Sequence, residues 1–150
     1  KKNKTKIAVW LMEWRKANKD KARASANKYQ KKRYHNDPLF RLETILRARF
    51  RKFLKQNNCR KGGRSFEIFG ATPQQIKSHI ESQFKDGMTW ENQGEWHIDH
   101  IIPLDYYFKN FDLNDLKVQK KAFNYKNLQP LWAFENLSKS NKFEKHTQSA

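Results

Sequence analysis

Trp96-His97-Ile98-Asp99-His100-Ile101-Ile102-Pro103-Leu104 decides how this chain is read. An acid and two imidazoles stand among apolar residues that otherwise spell a buried strand, and polar groups buried without partners are costly. Such groups normally hold a ligand or hydrogen bonds, so this is where chemistry is sought. Asp99 offers a hard cation a carboxylate oxygen. His100, with an ordinary pKa near 6.5, can take a proton from water at neutral pH. The plain alternative is a strand whose polar residues bond only to their neighbours. Strict strand alternation puts Asp99 and His100 on opposite faces, so a shared site requires a turn or bulge between them.

Outward from this stretch, charge is the next signal. Residues 1–60 hold 20 Lys and Arg against 4 Asp and Glu, a net +16; residues 61–150 hold 12 against 11, a net +1. The basic surface is therefore an N-terminal property, and its expected partner is a polyanion, foremost double-stranded DNA, whose condensed counterions Lys and Arg displace. Arg15, Lys16, Lys28, Lys31, Lys32, Arg33, Arg47 and Arg51 are the candidate contacts. A membrane partner is not expected: no stretch approaches 18 apolar residues, and the run from Ile7 to Met12 is short and followed by Glu13. The single cysteine, Cys59, excludes an internal disulfide and a Cys-only zinc site, which fits a reducing cytoplasm.

Residues 1–36 contain no Pro or Gly and predict one long basic helix, with Ile7, Trp10, Leu11, Trp14 and Ala17 on a stripe. Asp37 is a candidate N-cap and Pro38 suits the first position of a second helix reaching about Lys55, with Leu39, Leu42, Leu46, Phe50 and Phe53 along its apolar face. Asn57-Asn58 and Lys61-Gly62-Gly63-Arg64 read as a flexible connection and as the boundary between a basic helical arm, 1–60, and a folded domain, 61–150. Thr72-Pro73-Gln74-Gln75 is a capping-box pattern that starts a helix carrying Ile76, Ile80 and Phe84, which Asp86-Gly87 ends. His79, with no second ligand one turn on, reads as a surface or core-edge histidine. Trp90 and Trp96 most simply fill core. A short helix over about Leu113 to Phe123, a second strand in Asn127–Trp132 and a helix from Phe134 to Lys142 complete the reading.

Asp99-His100-Ile101-Ile102-Pro103, then Asn127-Leu128-Gln129-Pro130-Leu131, then Glu135-Asn136-Leu137-Ser138-Lys139-Ser140-Asn141-Lys142 together resemble an HNH endonuclease of the kind common in bacteriophages, from Gly62 onward. The resemblance implies an α+β fold: a ββα-metal core of two strands and a helix around one divalent cation, with added helices, preceded by the basic arm. It also implies the cytoplasm of a bacterium or a phage-infected host. Carried over, Asp99 and Asn136 are metal ligands, His100 is the general base, and Asn127 holds the active-site loop by hydrogen bonds. Asn136 stands where many members have their last histidine, an H-N-N variant. Trp132 and Glu135 stand where knuckle-bearing members have cysteines, so there is no zinc knuckle. Lys139 and His97 are candidates to face phosphate or support the ligands. Two oxygen ligands favour one Mg²⁺, or Mn²⁺, per site. The implied reaction is hydrolysis of DNA to 5′-phosphate and 3′-hydroxyl ends. The alternative is a nucleic-acid-binding module on the same scaffold, inactive or active only within a larger nucleoprotein assembly.

Overall fold

A computed structural model describes residues 2–140. Asn141 and Lys142, at the end of the last helix expected from sequence, lie outside them. The chain divides into two compact units after Arg41. In the first, α1 (Lys2–Ala17) and α2 (Lys19–Asn36) replace the single expected helix, broken at Asn18. At the break the Asn18 side-chain amide donates to the Trp14 carbonyl at 2.9 Å, sharing it with the Asn18 N–H, which keeps its own bond there at 2.9 Å. Asp37 then caps α3 (Pro38–Gln56) as expected, its Oδ1 accepting from the Phe40 N–H at 2.9 Å.

From Leu42 the chain builds an α+β unit around one core. Leu42, Leu46, Phe50 and Leu54, at helical spacing on α3, are all buried. That burial moves the division from the expected 60/61 boundary back to Arg41, because α3 supplies the core instead of belonging to the arm. Nor is the connection at 57–64 loosely held. The fully buried Gln119 accepts from the Gly62 N–H at 3.0 Å and donates to the carbonyls of Arg60 and Leu113, both at 2.7 Å. Gly62 lies so close that a Cβ there would sit 3.0 Å from Leu116 Cδ1.

Two short helices follow, α4 (Ser65–Phe69) and α5 (Pro73–Glu81). The Thr72–Gln75 capping box forms in both directions, at 3.3 and 2.9 Å, and Ile76 and Ile80 reach the core. The helix stops at Glu81, short of Asp86-Gly87, and the Gln83 side chain donates to the His79 carbonyl at 2.9 Å in the turn that follows. Strand β1 (Trp96–His100) pairs antiparallel with β2 (Leu128–Trp132), with Asp99 opposite Gln129 and His100 opposite Leu128. Between them lie α6 (Leu104–Asn110), which periodicity does not suggest, α7 (Leu116–Ala122), and a 3₁₀ turn (Tyr125–Asn127). The final helix α8 (Ala133–Lys139) packs on both strands. Two strands alone are marginal in water, and here the core covers one face and α8 lies on the other. Trp90 and Trp96 are buried core residues, their rings 5.4 Å apart in an edge-on contact.

Candidate functional site

Alternation along β1 sorts the central residues into two sets. Trp96 and Ile98 point into the core. His100 follows them: its ring lies edge-on to Phe123 with centroids 6.1 Å apart and borders a cavity of about 10 Å³ with Arg49, Phe50, Phe69 and Leu128. His97 and Asp99 face α8, whose Asn136 and Lys139, one turn apart, meet them in turn.

The α8 face is held by directed bonds. Asn136 Nδ2 lies 3.1 Å from His97 Nδ1, within hydrogen-bond distance of the ring. Lys139 Nζ donates to Asp99 Oδ2 at 2.5 Å and also to the His100 backbone carbonyl. Gln129 reaches the same Asp99 oxygen at 3.4 Å. Helix α8 is fixed from its start: Glu135 accepts from the Trp132 N–H at 3.1 Å and pairs with Lys85 at 2.6 Å. The Lys85 ammonium, with that N–H, holds the Glu135 carboxyl below the ordinary carboxylate range.

The Asn127 side-chain amide is fully engaged with the main chain. Its Oδ1 accepts from the Ile102 N–H at 2.8 Å, and its Nδ2 donates to the carbonyls of Ile102 and Ala122 at 3.0 and 2.9 Å. These three bonds pin the loop leaving β1 against the start of β2. On the core face, burial pushes the His100 imidazole down to about 4; Asp99 pulls it up, while Arg49 and Lys139 add to the lowering. At neutral pH the ring is uncharged, the form that accepts a proton.

The structure thus brings together Asp99, Asn136, His97 and Lys139 and places the His100 ring on the other face. Pairing runs unbroken through His100 opposite Leu128, with no bulge between Asp99 and His100. Among the described residues no three His, Cys, Asp or Glu side chains converge as a metal cluster. The donor set at α8 still suits a hard cation in kind, with one carboxylate and one amide whose nitrogen is spent on His97. The Lys139 ammonium already marks a position where positive charge is held by Asp99 and a main-chain oxygen.

Arg49, on α3, is not among the candidate site residues read from the sequence. The structure has it donating to the Ile98 carbonyl, next to Asp99. Nothing in its local sequence marks that contact, which depends on α3 crossing β1. Of the candidate DNA contacts, Arg15, Lys16, Lys28, Lys31, Lys32 and Arg51 are exposed. Arg33 pairs with Asp37 at 3.1 Å and stacks over Phe40, and Arg47 lies over the Phe66 ring at 4.7 Å and pairs with Glu43. His79 is a core-edge histidine, its Nε2 3.2 Å from the Leu128 carbonyl.

No family model matches this chain, and no solved structure matches it. Two curated relatives do. One uncharacterised protein of Acanthamoeba polyphaga mimivirus is 39% identical over 118 residues, 78% of this chain and 49% of its own length. A second from the same virus is 32% identical over 123 residues, 81% of this chain and 51% of its own. The chain therefore spans about half the length of the curated relatives it matches. Both belong to a virus of amoebae, and not to the bacterial or phage source expected from sequence. Among the described residues, no helix is long and apolar enough to cross a membrane.

Proposed function

We propose that this chain is a metal-dependent DNA endonuclease of the HNH type. One observation carries the reading: two antiparallel strands and a helix packed across them put Asp99 and Asn136 on one face, while Asn127 pins the adjoining loop with three hydrogen bonds. Asp99 and Asn136 would hold the cation, which supplies charge stabilisation on the scissile phosphate and the leaving 3′ oxygen. His97, bonded to the Asn136 amide, orients that ligand with its oxygen away from the ring. Lys139 stands ready to exchange Asp99 for a phosphate oxygen, a contact an ammonium makes readily.

His100 is the general base in this reading. Burial keeps its ring neutral, yet to reach a water on the α8 face the last residue of β1 must leave its pairing with Leu128. Lys139 holds the His100 carbonyl in that pairing, so its transfer to phosphate would release the strand end. In-line attack by the water that His100 deprotonates leaves 5′-phosphate and 3′-hydroxyl ends. The basic residues before Arg41 bind the duplex.

Two facts, Lys139 on Asp99 and the partly buried His100 ring turned to Phe123, favour a second reading: a DNA-binding module that cleaves only within a larger assembly or not at all. Incubation with supercoiled plasmid and Mg²⁺ or Mn²⁺ separates them. The enzyme nicks, chelation stops it, and Asn136→Ala needs a higher metal concentration; the binder gives a gel shift and no nick. Wild-type metal dependence in Asn136→Ala would remove that residue from the ligand set.

A further inference from the structure

Immediately beyond His100 the chain lines an open cleft of about 540 Å³. Ile101, Ile102 and Tyr107 form its apolar floor, and Lys120, Lys121 and Lys126 stand around it. The volume lies within the range of small-ligand sites, roughly 300–1,000 Å³. All three lysines are exposed, and none forms an ion pair among the described residues. Each comes from the end of α7 or the 3₁₀ turn, so the backbone and not a chance rotamer brings them to one place. Ile101 is 40% exposed, unusual for an isoleucine beside the core. Asn127 fixes the floor by holding both main-chain groups of Ile102.

We propose that this cleft seats an unpaired nucleotide of a DNA strand, its base on the Ile101–Tyr107 floor and its flanking phosphates on the three lysines. An apolar floor rejects a bare phosphate and a lysine rim rejects a plain hydrocarbon; a nucleotide satisfies both. A base stacked in a duplex cannot enter, so the cleft confers a preference for DNA with a single-stranded branch or gap. The inference rests on the nuclease reading in one respect: the DNA that fills the cleft is taken to be the strand that the Asp99–Asn136 site acts on.

The test is fluorescence anisotropy in EDTA, using a labelled duplex with a single-stranded branch and the same duplex fully paired. Taking the ratio of the two affinities cancels the contribution of the basic arm. The branched DNA is expected to bind about tenfold tighter, the scale of one seated base. Changing Lys120, Lys121 and Lys126 together to Ala should collapse that ratio toward one and lower the log-log salt slope for the branched DNA by about 2, three phosphates at about 0.7 each. Ile101→Ser should cut the ratio several-fold and leave the paired duplex unaffected. Equal binding of both DNAs by the wild type, or an unchanged ratio in the triple-lysine variant, overturns the proposal. Because no cleavage is read, a plasmid left uncut with Mg²⁺ would defeat the nuclease reading while leaving the cleft to stand on its own ratio.

Discussion

His97 and His100, three positions apart, meet opposite fates because a strand alternates. If His100 is the base, His100→Ala loses at least about 10²-fold in single-turnover plasmid cleavage at saturating Mg²⁺ and keeps its DNA affinity, and His97→Ala loses less. Should His97→Ala be the deader enzyme with both variants folded, the base belongs on the α8 face with Asn136. His100 also makes a prediction that needs no substrate. Its folded pKa of about 4 lies below the ordinary 6.5. Between these values the unfolded chain binds the extra proton, so stability is fully present above pH 6.5 and is lost as pH falls toward 4, by of order 3 kcal/mol. Glu81, lowered from 4.5 by the Lys77 ammonium, gives way only below that value, so the span from 6.5 to 4.5 is free of its contribution. Denaturant melts in EDTA should show the upper window in the wild type and a flattened one in His100→Gln. The same slope in both would mean that the ring is solvated in the native protein.

At the level of elements, α7 ties the connection after α3 to the core through one residue. Gln119 satisfies the Gly62 N–H and the Arg60 and Leu113 carbonyls from a fully buried position. Gln119→Leu fills similar space and leaves three main-chain groups without their partner, at roughly 1–3 kcal/mol for each that stays dry. A clear drop in Tm is expected, measured by circular dichroism, with Gln119→Glu an informative companion because it keeps the acceptor and removes the donor. An unchanged Tm in Gln119→Leu would show that water replaces the amide. Composition makes the 57–64 segment look like a linker, since Asn and Gly are there; that a glutamine far along the chain claims its backbone is invisible to any local pattern. By contrast, α3, the capping of α5 and the placing of β1 and β2 are readable, because their signals are local: apolar spacing, Thr72 with Gln75, and short apolar runs. Helix α6 escapes such reading because Tyr106, Tyr107 and Phe108 are consecutive and show no single stripe.

For the whole molecule, the proposed DNA binding would be governed by the uneven charge. Removing residues 1–35 takes away Arg15, Lys16, Lys28, Lys31, Lys32 and Arg33 with the other basic residues of α1 and α2, and the folded unit from Leu42 keeps its core. Binding should weaken, and the log-log dependence on salt should flatten by about 0.9 for each phosphate that the arm no longer neutralises. A truncated protein with the wild-type slope would show that the arm does not touch DNA. Core packing should survive: a melt of the truncated protein near the wild-type Tm is the expected control.

From the order of residues alone comes the inventory: a basic half and a balanced half, an α+β unit, the strand holding Asp99 and His100, and the loop-pinning Asn127. The charge division and the strand follow from composition and periodicity, properties of neighbouring residues; the α+β core and the role of Asn127 are what the resemblance implies. Which groups share a face is settled by folding. Folding sets Asp99 and His97 against Asn136 and Lys139 from a helix some forty positions on, turns the His100 ring to Phe123, and draws three lysines around an apolar cleft. The physical reason is that a side chain's partner and the solvent around it are fixed by how elements cross, and no spacing along the chain records that crossing.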